Sequence, residues 1–192
     1  MPLKLKIYAL SLGGSSLIFL LLLSHYFPFS LFELPFIILF ITAFIFFRYS
    51  VPLPMGEIEE IPVFPLVTAS IILYGPTAGA WLHSFAFFFS VFLHPKKRRD
   101  VLSGDLKKSI NYILILLMNM GWFTYSAGLA GLVWVYASGF SPPYECYRHP
   151  IALFLVGLTY VLVDNLSESL AGALYTGIPF WKIWLTNRSW NI

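Results

Sequence analysis

Residues 7–27 contain no Asp, Glu, Lys or Arg. A helix needs about 20 residues to cross the hydrocarbon of a bilayer. In lipid the backbone must satisfy its own polar groups, and a helix does so within one segment. That run therefore fixes the class of fold before any motif is considered. Four further apolar stretches follow, at 31–47, 62–93, 110–137 and 151–176. Charged residues make up only 11% of the 192-residue chain, and 58% is hydrophobic, against about 25% charged in soluble domains. A water-soluble core of this size could not hide nineteen Phe. The reading is an all-α integral membrane protein forming one domain over residues 1–192.

The stretch 62–93 is interrupted by "YGPTAG". Proline lacks an amide donor and glycine tolerates positive φ, so a turn falls at Gly75-Pro76. Two helices result, about 62–74 and 77–94. The first is too short to cross alone and reads as a tilted or re-entrant half-span, tolerated where protein covers its ends. The bundle is thus expected to hold six apolar helices, about 7–27, 31–47, 62–74, 77–94, 110–137 and 151–176. The tail 178–192 carries Trp181, Trp184 and Trp190 with Lys182 and Arg188, a pairing that favours the headgroup level. The start resembles a signal peptide, but the apolar run is too long and no cleavage signal follows it. It reads as a retained first helix.

A net charge of +3 raises the question of nucleic acid, but six of the twelve Lys and Arg sit in one loop, at 96–99 and 107–108. With both termini cytoplasmic, Lys4, Lys6, Arg48, that loop, Lys182 and Arg188 all lie inside. Only Arg148 lies outside. Eleven of twelve inside is the bias expected of a multi-pass protein of the inner (cytoplasmic) membrane, whose first partner is the bilayer. The basic loop could touch anionic lipid, though anchoring of topology suffices to explain it. No nucleic-acid partner is indicated. Cys146 is the sole cysteine, so no intrachain disulfide forms.

Within 151–176 stands "VDNLSES". Asp164 falls near the middle of that span, and Glu168 is about 6 Å nearer the cytoplasm. Residues four apart share a helix face, and Asn165, Ser167 and Ser169 widen its polar side. A carboxylate near the bilayer centre costs about 2.5–3.5 kcal/mol on insertion scales, less with a proton or a partner. Both acids are therefore expected to face the bundle interior or a wet cavity. No Lys or Arg lies in any span. The candidate neighbours are Asn119, at similar depth, and His83. Two readings stand: a site for a ligand, ion or proton made by Asp164, Glu168, Asn165, Asn119 and His83, or a carboxyl bonded to Asn119 that ties helices together. His83 alone reads equally as a hydrogen-bonded packing residue.

Gly121, Gly128 and Gly131 in the fifth helix, and Gly157 and Gly172 in the sixth, mark expected close helix contacts. "ECYRH" at 145–149 matches no metal spacing and reads as a solvated loop. The "LSLGGSS" segment lies inside a span and is no phosphate loop. No nucleotide fingerprint, zinc motif or paired catalytic motif occurs, so no catalytic residue, metal or cofactor is indicated.

From "RYSVPLPMGEIEEIP" onward the order of features is familiar: an Arg, a Pro-rich acidic loop, a short apolar helix, "YGPTAGAW", a basic loop, "KKSINYILILL", and "YVLVDNLSESLAGALYTGIPFWKIWLTNRSW". Over residues 48–190 this resembles the multi-span sensor region that precedes HD-type phosphodiesterase or GGDEF diguanylate cyclase domains in bacterial signalling proteins. The resemblance places Asn111 where that family often has Asn, and Asp164 where it often has an intramembrane Asn. Acid at Asp164 and Glu168 departs from the pattern. So does the end at Ile192, before any further span or output domain. The resemblance implies a stand-alone sensor or scaffold, a truncated product, or a different family. The expected function is a non-catalytic membrane sensor or interaction module that signals to a cytoplasmic domain or protein. The alternative is the small substrate-capturing subunit of a transporter, although the first helix lacks the small-residue pattern suited to partner docking. A lipid-directed enzyme is a third reading, without a visible nucleophile and base.

Overall fold

The computed structural model describes residues 1–48, 51–52, 59–60, 63–93, 106–139 and 143–188. Glu57, the basic residues 96–99 and Trp190 lie outside the described residues. Among the described residues seven α-helices follow in order: α1 (Leu3–Tyr26), α2 (Leu34–Arg48), α3 (Phe64–Tyr74), α4 (Pro76–Phe92), α5 (Leu106–Ser138), α6 (Pro150–Thr176) and α7 (Phe180–Arg188). A 3₁₀ turn, Pro143–Arg148, precedes α6, and Val51–Pro52 pairs antiparallel with Glu59–Glu60. Among the described residues three helices are long and apolar enough to cross a membrane: α1, the Ser109–Ser138 part of α5, and α6.

Each boundary has a local cause. The α3 helix closes at Gly75, whose φ of 89° and ψ of −175° suit a residue without Cβ. Pro76 then opens α4 at a position where its missing N–H costs nothing. A left-handed Gly177 ends α6, its amide donating to the Ala173 carbonyl at 2.9 Å. Hydroxyls inside α1 and α2 turn back on their own helix: Ser11, Ser24 and Thr42 each donate to the carbonyl four residues earlier, at 2.8 Å. That bond lets a serine or threonine lie in lipid without an unpaired group.

The centre of the bundle is α5, which packs against α1, α4 and α6. At about 50 Å it is longer than the roughly 30 Å hydrocarbon of a bilayer. Its glycines permit the approach. A methyl at Gly121 would lie 3.0 Å from the Leu12 backbone, and one at Gly128 would lie 2.6 Å from the Phe19 ring. At Gly131 it would overlap Pro76, and on α1 a methyl at Gly13 would meet Leu117. Gly157 and Gly172 differ, with only ordinary van der Waals neighbours, Phe64 and Ile183.

The α3 helix is about 16 Å long, half of a bilayer's hydrocarbon. It is enclosed by α2, α4 and α5, with Val67, Ser70 and Ile71 buried. The core there is small against large: Ala78, Leu82, Ala127, Ala130 and Trp134 mesh with Ile71 and Val156. The opposite sign holds outside, where Ile18, Leu21, Ile38 and Phe154 are among the large apolar residues left exposed. Apolar area facing outward on such helices suits lipid and would be a liability in water.

Candidate functional site

At the junction of α2, α4, α5 and α6 sits His83, 3% exposed. Phe123 from α5 stacks on its ring at 4.0 Å, and Phe47 from the end of α2 stacks at 5.7 Å. The Tyr160 hydroxyl of α6 lies 3.1 Å from its Nδ1 and 3.2 Å from its Nε2. A hydroxyl can donate to a bare ring nitrogen or accept from a protonated one, so the contact can form with either tautomer. The neighbouring Ser84 and Thr124 hydroxyls, 2.7 Å apart, tie α4 to α5. The Thr124 hydroxyl also reaches the Met120 carbonyl at 2.8 Å. A small polar knot is thus closed inside an aromatic shell, with Phe64 of α3 against Tyr160 at 4.8 Å.

Tyr160, Asp164 and Glu168 follow one another at four-residue steps along α6. Tyr160 is buried, Asp164 half-buried and Glu168 exposed. Helix geometry explains the gradient. Four residues at 3.6 per turn advance the side chain about 40° round the axis, so a row at this spacing drifts out of the core. The carboxylates therefore form an open flank leading down from the closed His83–Tyr160 pair. Both acids were expected to face the bundle interior or a wet cavity, and Glu168 lies outside the interior. Asn165 is half-buried beside them. Tyr8 of α1 crosses this flank and donates its hydroxyl to the Ser167 carbonyl at 3.3 Å.

Asn119 takes no part. Its Nδ2 donates to the Ile115 carbonyl of its own helix at 2.9 Å. Asn111 is half-buried, and its Oδ1 has no hydrogen-bond partner among the described residues. Among those residues neither carboxylate of α6 makes a hydrogen bond or meets a cation within 4.0 Å. The ion pair seen there is Arg148 to Glu145, 3.4 Å apart in the 3₁₀ turn. No group of three or more His, Cys, Asp or Glu able to hold a metal occurs among the described residues.

Tyr160 is the residue that sequence reasoning missed. An aromatic in an apolar span looks like core. Its signal was the spacing Tyr160, Asp164, Glu168, which extends the acidic pair one turn toward His83. Phe47 and Phe123 carried no signal, since their role comes only from tertiary contact with the imidazole.

The three long apolar helices and the lipid-suited exterior define a helical membrane protein. The chain matches no protein-family profile, no curated protein and no solved structure.

Proposed function

We propose that the protein is a non-catalytic sensor module of the inner membrane, with six apolar helices, α1 to α6, and both termini cytoplasmic. Its polar row on α6 takes a small cationic or hydrogen-bond-donating ligand. The observation that carries this reading is the continuity of the row. An exposed Glu168 and a half-buried Asp164, neither with a cation within reach among the described residues, lead to a tyrosine that holds His83. A cation arriving at the two acids supplies a partner that the described residues do not, and desolvated carboxylates gain most from such a partner. Tyr160 lies one turn from Asp164, so a ligand there bears on the Tyr160–His83 contact. The α2 and α5 helices rest on that contact through Phe47 and Phe123. The effect would pass as a change in helix packing to a cytoplasmic output domain or protein. The bias of eleven basic residues of twelve supports the orientation.

Native mass spectrometry of the purified chain tests it. The wild type is expected to retain a small adduct that Asp164→Asn and Glu168→Gln both lose, with melting temperatures close to the wild type. A wild type without adduct, or variants that keep it, contradicts the reading.

A further inference from the structure

Away from the polar row, an apolar slot of about 220 Å³ runs between α2 and α4. Leu31, Phe36, Ile37 and Phe40 form one wall, and Trp81, Phe85 and Phe89 the other. We infer that this slot binds one acyl chain of a membrane phospholipid.

Its shape argues for a chain. Trp81, Phe85 and Phe89 step along one side of α4, so the slot extends about 12 Å along the helix. A volume of about 220 Å³ spread over that length leaves room for a single hydrocarbon tail. A partner helix, about 10–12 Å across with its side chains, does not fit. Its chemistry argues the same way. Every lining side chain is apolar in character, and the one polar atom among them, the Trp81 indole nitrogen, is turned to the Ser24 hydroxyl at 3.1 Å. Water has nothing to bond there, and apolar cavities of about 150 Å³ already stay dry and accept a molecule as large as benzene. The walls are stiff. Trp81 stacks on Phe85 at 4.3 Å, and Phe40 meets Phe89 edge-on at 6.2 Å. Position supplies the occupant. Leu31 lies in the turn between α1 and α2, which the six-span reading puts at the headgroup level, and Leu31, Ile38 and Phe89 are exposed. A tail can enter from the side while its headgroup stays at the interface. This site is independent of the carboxylate row.

The test uses the full chain, purified in detergent, stripped of lipid and titrated with phosphatidylcholine bearing dibrominated tails. Bromine quenches nearby tryptophan, and the Trp81 signal is the difference between wild type and Trp81→Phe. Quenching is expected to saturate at one lipid per chain. Ile37→Phe and Leu31→Phe, which add apolar bulk at two separate points of one wall of the slot, each lose most of the saturable part. Leu31 lies in an exposed turn, so its variant folds even where the first does not. Quenching that rises in proportion to lipid without saturating, or that persists in the Leu31 variant, overturns the assignment.

Discussion

Gly131→Ala is expected to destabilise the protein severely, by about 3 kcal/mol or more, the upper range for overpacking a filled core. Its added methyl would overlap the Cα and Cβ of Pro76, at the very start of α4. A flexible side chain could swing aside, but this neighbour is backbone. Pro76 has a fixed φ, and its predecessor Gly75 already sits at φ 89°. On the other side, the Thr77 hydroxyl is held to the Leu23 carbonyl at 2.8 Å. The strain therefore moves whole helices apart where α1, α4 and α5 meet. Gly14→Ala is the matched control, since a methyl there meets nothing within 4 Å. That variant should be neutral or stabilised by up to about 1 kcal/mol through helix propensity. Thermal unfolding in detergent, followed by tryptophan emission, reads both. Equal melting temperatures for the two variants would mean that α5 does not approach α4 as described.

Tyr160→Phe is expected to cost about 1–3 kcal/mol, because it leaves a ring nitrogen of buried His83 without its partner. The ring volume is kept, so little of that loss comes from packing. His83→Phe should cost a similar amount by stranding the Tyr160 hydroxyl. The double variant should be milder than the sum. Replacing both partners with apolar groups of like shape removes the unsatisfied atoms, and Phe47 and Phe123 can stack on a phenyl as they do on imidazole. A coupling of about 0.5–3 kcal/mol in the double-mutant cycle is the signature of a contact pair. Strict additivity would show that the hydroxyl and the imidazole do not interact.

Much of the helical layout was legible from runs of residues alone. The break at Gly75-Pro76 could be read because proline and glycine announce a turn by their own chemistry. The start of α5 at Leu106 could not, since Lys107 and Lys108 follow it and hydropathy does not see that lysine is a good helix former. Residues 178–192 were read as an interfacial tail. The structure adds that Phe180–Arg188 is a helix leaning on α6, with Ile183 beside Gly172.

The site was less legible. Spacing put Asp164 and Glu168 on one face, but it did not give the centre of that face. Tyr160 marks the buried side, and the 40° drift per step decides how far each acid emerges. Asn119 was a partner by depth only. Its amide has a nearer acceptor one turn back in its own helix, and no argument from depth can see that competition. His83 was notable as a lone imidazole in an apolar helix. What encloses it comes from three other helices and was beyond the reach of local pattern.

The central claim is that α6 crosses the bilayer with its acidic flank in the cytoplasmic half. Impermeant maleimide labelling tests it most directly, in a Cys146→Ser chain carrying one new cysteine at a time. Tyr147→Cys and Leu106→Cys stand at positions exposed by 69% and 74%, one before α6 and one at the start of α5. The first should label only from outside spheroplasts and the second only in inverted vesicles, while Asp164→Cys stays silent from outside. Free labelling of position 164 from outside, or both reporters labelling from the same side, would contradict the account.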